Sequence, residues 1–365
     1  MILLTGATGY IRSHTWLALH AAGMQAAGLD DFSNSSPEVL RRLAALGADV
    51  SRFAEADVGD RAALDAVFGR WKIEAVVHFA AWKAVGDSLA RPLDYYRNNV
   101  GSLIALAETM QEHGCKTIVF SSSATVYGHA GSAPIDEAHI LTPTNPYGRT
   151  KLIGENILRD VERADAAWRA AVLRYFNPVG AHASGTIGED PRGAPNNLMP
   201  FVAQVAVGKR ATLRVFGDDY DTPDGTGVRD YLHVEDLAEG HVAALRYPQG
   251  GTGSITVNLG TGQGVSVLEL VRAFERASDR PVPHEIAPRR AGDVATCRAD
   301  AELPNACSAG RRRATSTGCA PTAGELANRQ SARLHGPRPG GDGVGGWERV
   351  ASGAMNAGHG PAPRA

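Results

Sequence analysis

The sequence is poor in cysteine and has no long apolar run. Its 365 residues include only four cysteines, at positions 115, 297, 307 and 319, and none forms a C-x-x-C pair. That spacing suits neither a zinc site nor a disulfide framework, so we expect reduced thiols and a cytoplasmic protein. No apolar run reaches the roughly 18–20 residues that span a bilayer. The segment Met1–Thr5 is too short for a signal peptide and lacks its basic flank.

An excess of charge of one sign is also missing. Lys and Arg number 37 against 39 Asp and Glu, which gives a formal net charge of -2. The chain therefore has no bulk basic field for nucleic acid or a membrane surface, and we expect neither as a partner. The twelve histidines show no H-E-x-x-H spacing, and no metal is predicted.

Short apolar runs alternate with helical patterns through the first half of the chain. The first helix is predicted at Tyr10–Ala22. Strands this apolar, separated by helices, favour a parallel sheet covered on both faces, which is the doubly wound α/β arrangement. The predicted strands are Ile2–Thr5, Gln25–Leu29, Ala75–Phe79, Thr117–Ser121 and Ala170–Phe176.

A glycine turn follows the first predicted strand. Gly6 and Gly9 lie between that strand and the first helix, where glycines allow backbone N–H groups to approach a pyrophosphate. Asp30 closes the next strand, where a carboxylate binds the adenosine ribose hydroxyls and repels a 2′-phosphate. The pattern predicts a dinucleotide site that prefers NAD to NADP. The alternative for Asp30 is a simple turn residue before Asp31.

A tyrosine and a lysine lie four residues apart on a predicted helix that begins near Pro146. Tyr147 and Lys151 share one face of it, and three serines, Ser121–Ser123, lie at a strand's carboxyl end. A nearby ammonium group lowers a phenol's pKa, so that tyrosine can exchange protons near neutral pH. Taken alone, a tyrosine and a lysine at this spacing are better explained as an ordinary exposed pair on a helix. Combined with the glycine turn and the serines, it predicts a catalytic site.

Four longer motifs give a specific resemblance. They are SSSATVYG at 121–128, LRYFNPVGAH at 173–182, PNNLMP at 195–200 and DGTGVRDYLHV at 224–234. The chain resembles the UDP-glucose 4-epimerases of the extended short-chain dehydrogenase/reductase family, nearly continuously from residue 1 to about residue 301. The resemblance implies interconversion of UDP-glucose and UDP-galactose by transient oxidation at sugar C4. NAD would be regenerated in each cycle and retained as a prosthetic group.

The resemblance also implies roles for individual residues. Tyr147 would accept the proton of the sugar 4-hydroxyl, Lys151 would bind the nicotinamide ribose, and Ser123 would hydrogen-bond near the reacting oxygen. The cofactor contacts would be Gly6, Gly9, Tyr10, Ile11, Asp30, Asp31, Asn34, Ser35, Asp57, Val58, Phe79, Ala80, Ala81, Lys83, Asn98, Tyr147, Lys151 and Phe176. The UDP-sugar contacts would be Ser123, Tyr147, Asn177, Asn197, Leu198, Phe216, Arg229, Arg290 and Asp293. A homodimer is the family expectation.

Two positions depart from the family pattern. The G-x-x-G-x-x-G turn would place its third glycine at position 12, where this chain has Arg12. A long charged side chain there either pairs with the pyrophosphate or obstructs it, and we favour obstruction. Cys297 stands where some family members have a bulky tyrosine beside the sugar, which predicts a larger pocket and tolerance of N-acetylated UDP-hexosamines. The alternative for Cys297 is a small buried residue without effect on specificity.

The resemblance divides the chain into three segments. Residues 1–177 would form a Rossmann domain that binds NAD, joined by later segments such as 231–262. Residues 178–301 would form mainly the UDP-sugar lobe, in which helices are predicted at Leu198–Val207 and Val267–Ala277. From Glu302 onward the sequence has no Ile, Phe or Tyr, which predicts a disordered tail.

The change in composition near residue 301 is abrupt, and we hypothesise a shift of reading frame there. The alternative is a natural extension. The DNA distinguishes the two, because another frame should encode a helix-forming segment that contains tryptophan.

Two other functions stay open at the level of sequence. A nucleotide-sugar dehydratase would carry an acidic pair where this chain has Ser123-Ala124-Thr125. A catalytically silent member that binds a dinucleotide or nothing would be consistent with Arg12 and the altered tail. Turnover of UDP-galactose, together with analysis of bound NAD, separates these alternatives.

Overall fold

The computed structural model describes residues 1–131, 133–191, 195–247, 253–290 and 292–300. The tail predicted for residues 302–365, with Cys307 and Cys319, lies outside the described residues. Within them, no helix combines the length and the apolar character that crossing a membrane requires.

Seven parallel strands form the main sheet, in the order β3-β2-β1-β4-β5-β6-β10. The order reverses between β1 and β4, which is where a doubly wound sheet opens a crevice at the carboxyl ends of its strands. The Rossmann-type sheet predicted from the sequence is confirmed. Its strands are β1 Ile2–Thr5, β2 Ala26–Asp30, β3 Phe53–Glu55, β4 Ala75–His78, β5 Thr117–Ser123, β6 Arg169–Tyr175 and β10 Ile255–Leu259.

Helices cover both faces of this sheet. The N-terminal segments are α1 Tyr10–Ala21, α2 Glu38–Ala45, α3 Arg61–Arg70, α4 Val85–Ala90, α5 Pro92–Tyr95, a π-helical turn Tyr96–Gly101 and α6 Ser102–Glu112. A 3₁₀ turn Ala124–Tyr127, α7 Pro146–Ala164 and α9 Val234–Arg246 follow. Successive strand residues point to opposite faces, so Leu4 packs with Trp16 of α1 while Leu3 packs with Leu106 of α6. Two apolar layers therefore fix the sheet from either side.

A smaller lobe is built around one strand. β9 Val228–His233 pairs with β7 Asn177–Val179, β11 Gly264–Ser266 and β13 Thr296–Cys297. A separate parallel pair joins β8 Leu213–Phe216 and β12 His284–Ala287. The helices α8 Leu198–Ala206 and α10 Val267–Ser278 pack on these strands through an apolar cluster that includes Val202, Tyr231 and Phe274.

The chain crosses between the two parts more than once. After β9 it returns through α9, which packs against α1, to β10 at the edge of the main sheet. It then enters the smaller lobe again at β11. The crevice of the main sheet and the smaller lobe are therefore made by interleaved segments.

Candidate active site

The first cavity, of about 460 Å³, lies at the carboxyl ends of the strands around β1. It brings together eleven of the residues predicted to contact the cofactor. They are Gly6, Asp30, Asp31, Asn34, Ser35, Asp57, Val58, Ala80, Ala81, Lys83 and Asn98. The loops after β1, β2, β3 and β4 supply most of them, which is where a doubly wound sheet places a ligand.

Asp30 both stabilises a turn and offers a hydrogen-bond acceptor to a ligand in this cavity. One carboxylate oxygen accepts the backbone N–H of Thr8 at 2.9 Å, and the other accepts the N–H of Phe32 at 2.9 Å and the hydroxyl of Ser35 at 3.1 Å. Asp30 is thus a turn residue, because it supports the left-handed φ of 54° at Phe32. A carboxylate has roughly four acceptor sites, which leaves one for a ribose hydroxyl.

The glycine turn also suits a phosphate-bearing ligand. Gly6 has a φ of +66°, and a Cβ added there would approach the Ala80 Cα to 3.2 Å. A side chain at this position would therefore be strained by the backbone conformation and crowded against Ala80. The turn leads directly into the N-terminus of α1 at Tyr10, where free N–H groups favour an anion. Together with Asp30, the turn fits the diphosphate and adenosine of NAD, except for the side chain of Arg12.

The second cavity is small, about 70 Å³, and contains the predicted proton-exchange pair. Its lining combines predicted residues, namely Tyr10, Ile11, Phe79, Ala81, Lys83, Tyr147 and Lys151, with Arg12, Ser121 and Tyr175. α7 brings Tyr147 and Lys151 here. As predicted, it begins at Pro146, and the Asn145 side chain caps it by accepting the N–H of Gly148 at 2.9 Å.

Burial dominates the electrostatics of this pair. Burial raises the pKa of Tyr147, against the opposing effects of a hydrogen bond with Ser123 and the charge of Arg12. Burial also lowers the pKa of Lys151 to about 7, helped by the charge of Arg12 and opposed by Glu155. The expectation that Lys151 lowers the tyrosine pKa is therefore not met in the ligand-free chain, where Tyr147 is a neutral phenol. Removal from water outweighs the hydrogen bond with Ser123 and the charge of Arg12.

A buried ionic network supports this part of the site from behind. Glu155, one turn after Lys151 on α7, accepts hydrogen bonds from Ser122 at 2.6 Å and from Arg174 at 2.7 and 3.0 Å. Lys151 Nζ donates to the Ser121 carbonyl at 2.6 Å. These bonds link α7 to the ends of β5 and β6, so they fix the position of Ser123. Sequence reasoning missed Glu155 and Arg174, although the spacing of four from Lys151 to Glu155 was visible.

The third cavity, of about 480 Å³, lies in the smaller lobe. It collects the predicted UDP-sugar residues Asn177, Asn197, Leu198, Phe216, Arg229, Arg290 and Asp293. Arg290 pairs with Asp293 at 2.9 Å, and its guanidinium lies 4.6 Å from the centre of the Phe216 ring. Tyr220, Phe201 and Arg210 also line this cavity and were not predicted. The combination of cations, amides and aromatic rings suits a nucleotide diphosphate.

Three predicted residues do not line these cavities. Gly9 lies beneath the Arg12 side chain. Ser123, at the end of β5, is hydrogen-bonded with Tyr147. Phe176 was expected against the nicotinamide, but its ring is buried in an apolar cluster with Val126 and Ile135. Because β6 ends at Tyr175, the adjacent Tyr175 lines the second cavity instead.

Comparison with known proteins agrees with this geometry. A profile of the NAD-dependent epimerase/dehydratase family matches residues 2–260. The UDP-glucose 4-epimerase of Bacillus subtilis is 58% identical over 299 residues, which are 82% of this chain and 88% of that protein.

Solved structures are similar over most of their length. The crystal structure of UDP-glucose 4-epimerase from Bifidobacterium longum with NAD+ and UDP is 44% identical, covers 98% of this chain and 97% of its own, and has a TM-score of 0.83. The UDP-Glc/GlcNAc 4-epimerase of Campylobacter jejuni is 36% identical, covers 90% of this chain and 98% of its own, and has a TM-score of 0.72. The chain belongs to the NAD-dependent epimerase/dehydratase family.

Proposed function

We propose that the chain interconverts UDP-glucose and UDP-galactose, with NAD as its cofactor. The observation that carries the proposal is the position of Tyr147, Lys151 and Ser123. Tyr147 and Lys151 meet at one end of the crevice whose other end holds Asp30, and Ser123 is hydrogen-bonded with Tyr147. The smaller lobe adds a cavity with four arginines, Arg229 and Arg290 among them. The cofactor, when bound, accepts a hydride from C4 of the sugar and returns it.

The side chains of this chain would bind and orient the two ligands. Asp30 would accept a ribose hydroxyl, the Gly6–Gly9 turn would face the diphosphate, and Lys151 would donate to the nicotinamide ribose. Arg229 and Arg290 in the third cavity would pair with the diphosphate of the UDP-sugar. Because UDP is bound away from the reacting carbon, the sugar ring can turn over while its nucleotide remains in place.

Tyr147 would move the proton. Its phenol is 9% exposed, so water is largely excluded from the reacting oxygen. Burial raises the pKa of Tyr147 and the hydrogen bond with Ser123 opposes that rise; further positive charge in the second cavity would oppose it as well. The phenol would first release its own proton to solvent, and the resulting Tyr147 phenolate would accept the proton of the 4-hydroxyl and return it after the sugar has presented its other face.

The proposal is tested with purified protein and UDP-galactose. Wild-type protein should form UDP-glucose, and Tyr147→Phe should lower kcat by about 10²–10⁴-fold, which is typical for loss of a proton-transfer group. The variant should unfold at an unchanged urea concentration. Tyr96→Phe, a partly buried tyrosine outside the three cavities, is the matched control. Near-wild-type kcat in Tyr147→Phe would exclude the assigned role.

We also propose that two copies of the chain associate through α4 and α5. Val85 and Leu89 lie four residues apart on one face of α4 and are 41% and 61% exposed, and Leu93 of α5 is 73% exposed. Adjacent exposed apolar side chains of this size are typical of an interaction surface. A second copy would cover them with the same side chains across a two-fold axis.

A further inference from the structure

Arg12 covers the glycine turn that the dinucleotide must approach. It is the third residue of α1, and its side chain folds back toward the turn. A Cβ added at Gly9 would collide with the Arg12 guanidinium, and one added at Gly6 would lie 3.4 Å from its Cζ. Arg12 Nη2 donates to the Phe79 carbonyl at 2.9 Å. The guanidinium therefore extends from the turn after β1 to the residue that follows β4.

The same side chain separates the two cavities of the crevice. Arg12 lines both the first and the second cavity, a property it shares only with Ala81 and Lys83 among their described lining residues. A dinucleotide bound along the crevice extends from Asp30 to Lys151. Its diphosphate, in the middle of the molecule, meets the glycine turn and the N-terminus of α1. Arg12 occupies that middle position.

We propose that Arg12 closes the dinucleotide crevice of the ligand-free chain at the position of the diphosphate, so that NAD exchanges with solution instead of being retained. This inference rests on the proposed function, because it takes NAD as the ligand. To admit the diphosphate, Arg12 must break its bond to Phe79 and uncover Gly9. Burial lowers the pKa of Arg12 at this position, and the carboxylates of Asp30 and Asp31 oppose that effect.

Pairing between Arg12 and the diphosphate is the competing possibility. A guanidinium is a strong partner for a diphosphate, but only when it lies beside the phosphate path. Here the guanidinium lies directly over Gly9, between the incoming phosphates and the backbone N–H groups. Removal of the side chain should therefore strengthen binding, whereas a pairing partner would weaken it on removal. The two possibilities therefore predict opposite changes in NAD affinity when the Arg12 side chain is removed.

The test compares wild-type protein with Arg12→Ala and Arg12→Gly. Each is purified without added NAD, and bound nicotinamide per chain is measured by chromatography of the denatured protein before and after dialysis. The dissociation constant for NAD is then measured by calorimetry. We expect wild-type protein to lose NAD on dialysis, and Arg12→Ala to bind NAD at least about tenfold more tightly. Arg41→Ala, at an exposed position of α2, should behave like wild type.

Two results would overturn the inference. Stoichiometric NAD in dialysed wild-type protein would show that the crevice is not closed. Equal or weaker binding by Arg12→Ala would show that Arg12 does not obstruct the diphosphate, and weaker binding would further show that it pairs with it. Arg12→Gln replaces Arg12→Ala if the latter does not fold. Binding of UDP is measured in parallel. Proteins that bind UDP but take up no NAD with or without Arg12 would refute both this inference and the proposed cofactor.

Discussion

Lys151 is buried, and its surroundings disfavour the charged form of its side chain. Its Nζ lies 5.1 Å from the centre of the Phe120 ring and has the Ser121 carbonyl as hydrogen-bond acceptor. Burial lowers the pKa of Lys151 from 10.5 to about 7. The folded chain therefore binds fewer protons than the unfolded chain between these two values, and its stability rises with pH across that window.

We predict that Lys151→Met stabilises the ligand-free chain more at pH 6 than at pH 10. At pH 6 the wild-type lysine is charged in both states, and burial of the charge costs on the order of a few kcal/mol. At pH 10 the folded-state lysine is neutral and most of that cost is absent. Urea unfolding at both pH values measures the difference, with Lys72→Met, at an exposed position, as the surface control. An equal effect at both values would contradict the prediction.

Cys297 is a second residue whose size we expect to affect the choice of substrate. It lies on β13 opposite Arg229 of β9, which lines the third cavity, and it packs against the cluster that contains Phe176. Burial raises the pKa of its thiol to about 11, so the side chain acts as a small neutral group.

We predict that wild-type protein turns over UDP-N-acetylglucosamine and that Cys297→Tyr loses this activity selectively. The bulky ring would fill the space for an acetamido group and lower kcat/KM for the N-acetylated sugar by about tenfold or more, with a smaller effect on UDP-glucose. Cys297→Ser, which preserves the volume, is the control. Absence of any turnover of the N-acetylated sugar by wild-type protein would refute the pocket argument.

At the scale of elements, β9 depends on one buried carboxylate. Asp230 accepts the N–H and hydroxyl of Thr261 at 2.8 and 2.7 Å, the N–H of Gly262 at 2.9 Å and the N–H of Ala299 at 3.1 Å. These bonds tie β9 to the turn before β11 and to the strand residues that end the described chain. Burial raises the pKa of Asp230 against these four bonds.

We predict that Asp230→Ala lowers the free energy of unfolding by about 3–5 kcal/mol. Three backbone N–H groups would remain buried without their acceptor, at about 1–3 kcal/mol each. Urea unfolding measures the loss. Asp218→Ala, at an exposed position of the same lobe, should change the value by less than about 0.5 kcal/mol. A loss below about 1 kcal/mol for Asp230→Ala would show that water satisfies these groups.

Five of the seven strands of the main sheet, namely β1, β2, β4, β5 and β6, were predictable because each is a short apolar run. The predicted strands and helices agree with the observed ones within two residues, since continuous apolar runs are needed where both faces are covered. Strands β3 and β10 of the main sheet were missed, as were β7, β8, β9, β11, β12 and β13 of the smaller lobe. Most of the missed strands have only two to four residues. Their partners are distant in sequence, so no local pattern marks them.

The features of the candidate site also differ in whether the sequence could predict them. Positions within motifs, such as Tyr147, Asp30 and Arg229, were predictable because a backbone turn or a helix spacing places them. The direction of the Tyr147 pKa and the burial of Phe176 were not, because both depend on which neighbours the tertiary structure brings close. Arg12 was recognised as abnormal from its position, but its bond to Phe79 required the structure.

At the scale of the whole molecule, the exposed face of α4 and α5 predicts self-association. Wild-type protein should sediment as a dimer at micromolar concentration, and Leu89→Asp with Leu93→Asp should give monomers, because a charge in an apolar interface is unfavourable. Ile140→Asp changes an equally exposed apolar residue, 76% exposed, on another segment and should leave the dimer intact. A monomeric wild-type protein at these concentrations would contradict the proposal.

The order in which β9 gains its partners has a consequence for synthesis. Strands β1 to β6 are complete by Tyr175, whereas β9 needs β13 at Thr296–Cys297. At about 5–20 residues per second, translation of the intervening stretch takes roughly 6–25 s. A growing chain can therefore present Asp30 and the glycine turn to NAD in the cell before it possesses a complete cavity for the sugar nucleotide. We expect the cofactor, and not the substrate, to be the first ligand that a nascent chain can bind.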